Sequence, residues 1–166
     1  MIKPRDLIGQ ASDLIDSDRG RPKQVDLRRS ISASYYAVFH TLTQSSVRLL
    51  ISGSRHQLRA RLLRGYPHSR LRKVCTSVAN GNRPKGLLDI YPSTPLPSNL
   101  RELSELFVTL QEERHEADYD NLRSFLKADA ETILNSANRA ITIIESLSPN
   151  TNEIEYAYLI SLFAEC

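Results

Sequence analysis

Gln24-Val25-Asp26-Leu27-Arg28-Arg29-Ser30-Ile31-Ser32-Ala33-Ser34-Tyr35-Tyr36-Ala37-Val38-Phe39-His40, running on to Ile51, decides the fold. Apolar side chains recur in it at helical spacing. One row is Ile31, Tyr35, Val38, Leu42 and Leu49, and a second is Tyr36, Phe39, Val47 and Leu50. Two rows on one long helix make a wide buried face, so this helix is predicted to be central and covered by several others. Gly53 closes it, because glycine accepts the left-handed conformation at which many helices stop.

Toward the N-terminus, Leu7, Ile8, Ala11, Leu14 and Ile15 follow Pro4 at helical spacing to about Asp18, and Gly20-Arg21-Pro22 breaks the run. Beyond Gly53 the spacing predicts short basic helices over about 55–63 and 69–79, split by Gly65-Tyr66-Pro67. Gly81, Pro84, Gly86, Pro92, Pro95 and Pro97 predict a flexible, irregular loop. Ser98 or Asn99 reads as an N-cap, with Glu102 as the capping-box partner of Asn99. The helix after it carries Leu100, Leu103, Leu106, Phe107 and Leu110 and runs to about Asp118. The next is expected from about Leu122 to Leu147, with Leu122, Leu126, Ala130, Ile133, Ala137, Ile141 and Ile144 on one face. Ser148-Pro149-Asn150 ends it, and a short helix over Glu153 to Phe163 holds Tyr156, Leu159, Ile160 and Phe163. No segment alternates with a period of two. The expected fold is all-α: a bundle of four to five main helices with additional short basic ones.

At 166 residues the chain has room for one domain, or one domain and a small appendage. Its 40% hydrophobic and 25% charged residues argue against global disorder. Cys75 and Cys166 are too few for a disulfide framework or a cysteine-based zinc site, and no His/Asp/Glu spacing resembles a metal site. Glycine-rich phosphate loops and a serine nucleophile elbow are absent. No metal or cofactor is expected. The stretch Met1 to Asp6 has no apolar secretory core, and no apolar run spans a bilayer. The expectation is a reduced, cytoplasmic protein with no membrane association.

Charge is segregated along the chain. Residues 1–26 carry five Lys/Arg and five Asp/Glu; residues 27–88 carry twelve Lys/Arg and no acid; residues 89–166 carry five Lys/Arg and fourteen Asp/Glu. A solvated surface normally mixes signs. The densest basic part contains Arg55, Arg59, Arg61, Arg64, Arg70, Arg72 and Lys73, with His56 and His68 adding partial charge. Arginine outnumbers lysine, which suits recognition of phosphate by a planar fork. One reading is an anionic partner, RNA or DNA. The other is internal complementarity, in which the basic middle packs on the acidic third of the same or a second chain.

Polar residues interrupt the apolar faces at two places. Tyr36 and His40 lie four apart on one face of the central helix. Arg114 lies seven residues past Phe107 and four past Leu110, where a leucine would continue the stripe, and Asp118 is one turn further on. An arginine entering a core needs a carboxylate or several acceptors. Asp118 and the central-helix tyrosines are the expected partners. The arrangement reads either as a structural polar latch of Arg114, Asp118, Tyr36 and Tyr119, or as an RNA site. In the site reading, Arg114 stabilises phosphoryl charge while His115 or His40 moves a proton.

At these residues the chain resembles the HEPN-domain family. Asp26 to His40 is similar to that family's helix with an Ala-x-x-Tyr-Tyr-Ala-x-Phe-His pattern. Arg114-His115-Glu116-Ala117-Asp118-Tyr119 resembles the Arg-x-x-Ala-Asp-Tyr variant of one branch. The resemblance implies a helical domain over 1–147, including a basic insert at 52–80 and a Pro/Gly loop at 81–98, followed by a C-terminal helical extension at 148–166. It implies a homodimer acting in toxin–antitoxin, CRISPR-associated or antiphage defence. Many members are metal-independent endoribonucleases, and some are paired with a nucleotidyltransferase antitoxin. Arg114 is then the family arginine, and His115 and His40 are the candidate acid or base. In those nucleases a histidine follows the arginine four to six residues later. Here positions 119, 120 and 121 are Tyr, Asp and Asn, and His115 directly follows Arg114. The expected function is RNA binding, with endoribonuclease activity open. The alternative is a non-enzymatic module that binds a partner protein such as the antitoxin.

Overall fold

Packing requirements, more than local propensity, set where the helices of this chain begin and end. A computed structural model describes residues 3–17, 22–66, 68–84 and 95–163. Among them are seven helices and no strand: α1 (Pro4–Asp16), α2 (Gln24–Leu50), α3 (His56–Arg64), α4 (His68–Ala79), α5 (Ser98–Tyr119), α6 (Lys127–Ser146) and α7 (Glu153–Ser161). The all-α bundle read from the sequence is therefore the observed class. Most of the Pro/Gly loop expected over 81–98 lies outside the described residues, as do Gly20, Arg21 and Pro67. Among the described residues no helix is long and apolar enough to cross a membrane.

The helices sort into two compact units, one of residues 2–40 and 106–142, the other of residues 41–105 and 143–166. In the first unit Ile31, Tyr35 and Val38 of α2 are buried, as are Ala11 and Ile15 of α1, Phe107 and Leu110 of α5, and Ile133 and Ala137 of α6. The Ser30 hydroxyl donates to the Ala11 carbonyl at 2.8 Å, so a small polar group buried between helices has its partner.

The sequence pattern misplaces the start of α6. It begins at Lys127, about a turn later than expected, and Leu122 and Leu126, assigned to the buried face, are 95% and 65% exposed. Phe125 is buried in their place. Tertiary hydrogen bonds hold residues 120–126 out of helical geometry. The Gln24 amide pairs with both backbone groups of Phe125, accepting from its N–H at 2.9 Å and donating to its carbonyl at 2.6 Å. Arg28 donates to the carbonyls of Ala117 and Asp120 at 2.8 Å and to that of Arg123. Asp120 accepts from the N–H groups of Leu122 and Arg123, and Asp129 accepts from that of Leu126 at 2.7 Å. These bonds satisfy backbone groups that a helix would otherwise pair internally.

In the second unit α7 is buried along Ile154, Ala157, Tyr158, Leu159 and Ile160. A helix apolar on nearly every side is buried, and α7 turns only Glu153 and Tyr156 to solvent. The described part of the expected C-terminal extension groups in one compact unit with α3 and α4. The fully buried tyrosine is Tyr158, whereas Tyr156, placed in the apolar set from sequence, is exposed. Asn152 caps α7, accepting from the N–H groups of Ile154 and Glu155. At the start of α5, the Asn99 side chain accepts from the Leu100 N–H and its amide donates to Glu155. The Tyr158 hydroxyl lies 3.0 Å from Ser104 Oγ and 3.6 Å from Cys75 Sγ. The Tyr66 hydroxyl donates to the Leu162 carbonyl, and its ring meets Phe163 edge to face.

Burial pushes the Cys75 thiol up to about 12, against the pull of its hydrogen bonds with Tyr158 and Ser104. The Tyr66 and Tyr158 hydroxyls are raised for the same main reason, burial. An unfolded thiol ionises near 9 while the folded one keeps its proton to about 12. Stability is therefore complete below pH 9 and falls between pH 9 and 12, because only the unfolded chain releases the proton there. Melting temperatures measured across that window should decline in the wild type and decline less steeply in Cys75→Ala. Equal slopes would assign the loss to the tyrosines alone.

Candidate functional site

The polar residues that break the apolar faces meet inside the first unit. Phe107, Gln111, Arg114 and Asp118 follow one another at helical spacing on α5; Ser32, Tyr36 and His40 do so on α2. The Arg114 side chain is 22% exposed and that of Asp118 29%. Arg114 Nη2 donates to the Tyr36 hydroxyl at 2.7 Å. Its Nε lies 2.7 Å from Asp118 Oδ2, a close charge contact that is not aligned as a hydrogen bond. The Ser32 hydroxyl donates to Asp118 Oδ1 at 2.5 Å. Tyr36, Arg114, Asp118 and Ser32 thus form a continuous polar bridge between α2 and α5.

Aromatic rings surround the guanidinium. Its carbon is 5.4 Å from the ring centre of Tyr36, 5.5 Å from that of Tyr119 and 5.9 Å from that of Tyr35. Each ring face attracts the cation. Burial works against the charge, but the influence of Tyr36, Asp118 and Tyr119 is larger, and Arg114 holds its proton more firmly than free arginine does. It is a permanent cation with its charge already compensated.

The three residues read as catalytic from sequence are not brought together equally. His40 stacks near Tyr36, with ring centres 6.3 Å apart and planes 28° apart, and Phe39 meets it edge to face. His115 is exposed, and its ring lies 4.9 Å from that of Tyr119. Successive helical residues project about 100° apart, which turns His115 away from Tyr36 and Asp118, and it meets the cluster only at the Tyr119 ring. The site joins Arg114 to Tyr36 and Asp118, and His40 to Tyr36.

The basic residues belong to the second unit. Arg55, Arg61, Arg64, Arg72 and Lys73 are exposed on or beside α3 and α4. Two others serve the fold: Arg59 donates to the Ile51 carbonyl through Nε and Nη2, at 3.1 and 2.7 Å, and Arg70 donates to the Ser161 carbonyl at 3.3 Å. Among the described residues no group of His, Cys, Asp and Glu could hold a metal ion.

Sequence reasoning did not single out Ser32, Gln24 or Arg28. Ser32 stands one turn before Tyr36, and that spacing was a usable signal. Gln24 and Arg28 carry no local mark, because their partners lie about a hundred residues away. The chain matches no protein-family model, no curated protein and no solved structure.

Removal of either end of the bridge should cost stability in a coupled way. Tyr36→Phe loses one charge-assisted hydrogen bond, and Arg114→Met leaves Asp118 without its cation, each by about 1–3 kcal/mol. The double variant should cost less than the sum, by about 0.5 kcal/mol or more. Urea titrations of the four proteins measure this cycle, and strict additivity would mean that the two side chains do not act as one unit.

Proposed function

We propose that the chain is a HEPN-like RNA-binding protein in which α3 and α4 hold the phosphate backbone and the Arg114 cluster is a structural latch. The observation that carries the RNA reading is the exposure of Arg55, Arg61, Arg64, Arg72 and Lys73 within a 62-residue stretch that contains no carboxylate. Backbone phosphates are recognised by such cations with little regard to sequence. The latch reading is supported by the contacts of Arg114, whose charge is met by Asp118 and Tyr36 instead of being aimed at open space.

Cleavage is the second reading, and one observation favours it: Arg114 keeps partial exposure beside Tyr36, and Tyr36 stacks with His40. In that reading Arg114 faces the scissile phosphate and His40 or His115 transfers the proton. The resemblance to toxin–antitoxin and antiphage proteins makes cellular RNA the natural substrate class. The interaction-module alternative draws on Leu58 and Leu62, exposed apolar side chains on the outer face of α3.

Binding to single-stranded RNA, followed by fluorescence anisotropy, should weaken steeply with salt. For about four phosphate contacts, affinity should fall roughly fifty-fold between 50 and 200 mM. Arg64→Gln, Arg72→Gln and Lys73→Gln together should flatten that slope; salt-independent binding, or none, would remove the RNA reading. Incubation with transfer and messenger RNA in a chelator separates the two roles of Arg114. Intact RNA supports the latch, whereas cleavage abolished by Arg114→Ala in a folded protein establishes the catalytic reading.

A further inference from the structure

Two surfaces of this chain expose leucines that its own packing leaves uncovered, and the surfaces differ in charge. The first is the outer face of α3. No residue of this helix is buried. Leu58 and Leu62 are 48% and 37% exposed and stand one turn apart. At 100° per residue Arg55 and Arg61 project on either side of that pair. The helix has no acid, and Arg59 is spent on the Ile51 carbonyl. A phosphate backbone has no use for leucines at the centre of a contact surface. An acidic surface with apolar side chains of its own would use both features.

The second surface is the α5–α6 linker, where Leu122 and Leu126 point outward. Their exposure is not that of a loose loop. Gln24, Arg28, Asp120 and Asp129 hold the linker backbone on every side. A presented apolar pair held in place loses little freedom when it is covered, which favours association. Its surroundings are acidic: Asp16, Glu113, Glu116, Asp118, Asp120, Asp129 and Glu131 stand against Arg28, Arg114, Arg123 and Lys127. Arg123 is already engaged by Glu113 and Glu116, and Lys127 by Asp16 and Glu131. The charge left for a partner is negative, with Asp120 exposed beside Leu122.

We propose that a second copy of this chain supplies the missing cover: the Leu122–Leu126 linker of one copy docks on the Leu58–Leu62 face of α3 in another. Arg55 and Arg61 of the first copy then flank the acidic rim of the linker. The contact is heterologous, since two different patches meet, and each copy carries one of each. With two leucines on each side and charges at the rim, the contact is concentration-dependent and weakens with salt. It does not rest on the RNA reading, for which Arg64, Arg72 and Lys73 remain outside the strip.

Sedimentation over a concentration series, without RNA and at low salt, tests the contact. Wild-type mass should rise with concentration. Leu58→Asp/Leu62→Asp and Leu122→Asp/Leu126→Asp should each weaken that association by about tenfold or more. All four side chains are exposed, so both variants should keep the wild-type circular dichroism and melting temperature. An equimolar mixture of the two variants should regain association, because the intact linker of one meets the intact α3 of the other. A dimer formed through a different face would add a constant mass that these substitutions leave unchanged. Three results would overturn the proposal: no rise in wild-type mass, variants that associate like the wild type, or a mixture that stays as weak as its components. If the wild type stays monomeric yet binds phosphatidylserine vesicles through Leu58 and Leu62, the α3 face belongs to a lipid surface and the proposal fails. RNA affinity is measured separately, so loss of one reading leaves the other standing.

Discussion

A guanidinium placed where an apolar stripe should continue sets the terms for the first unit. Arg114 follows Phe107 and Leu110 along α5, and burying its charge without compensation would be strongly destabilising. Tyr36 of α2 and, after it, Asp118, one turn later on the same helix, offset that cost. The Tyr36 hydroxyl of α2 gives it a direction, and Ser32 orients the carboxylate in turn. In the proposed latch, Arg114 directs its charge at Asp118 and Tyr36.

The linker between α5 and α6 obeys a related constraint. Backbone N–H and carbonyl groups outside helices need partners, and here side chains of α2 supply them. Arg28 and Gln24 reach the linker across the first unit. Phe125 turns inward, and the guanidinia of Arg28 and Arg123 lie over its ring. The consequence is that Leu122 and Leu126 face solvent on a well-supported backbone. An apolar pattern that reads as core in one dimension thus becomes surface in three.

Charge is separated along the chain and also between surfaces. The acid-free stretch runs from α2 through α3 and α4 and leaves Arg55, Arg61, Arg64, Arg72 and Lys73 exposed, while the linker surface is acidic. The proposed RNA contact and the proposed contact between copies both draw on this separation.

Helical periodicity in the sequence determined that the chain is all-α and that Arg114 and Asp118 share a side of α5. These properties depend on spacings of three, four and seven residues, which a helix converts directly into position. The sequence also marked Tyr36 as a partner, because a buried arginine needs acceptors and Tyr36 was among the few polar groups on the facing pattern. Only tertiary structure decided that α6 starts at Lys127 and that Tyr158 and not Tyr156 enters the core. The reason is physical. Those outcomes are settled by hydrogen bonds and packing between residues far apart in sequence, such as Gln24 with Phe125 and Ser104 with Tyr158, whose energies outweigh the small local preferences that a sequence pattern records.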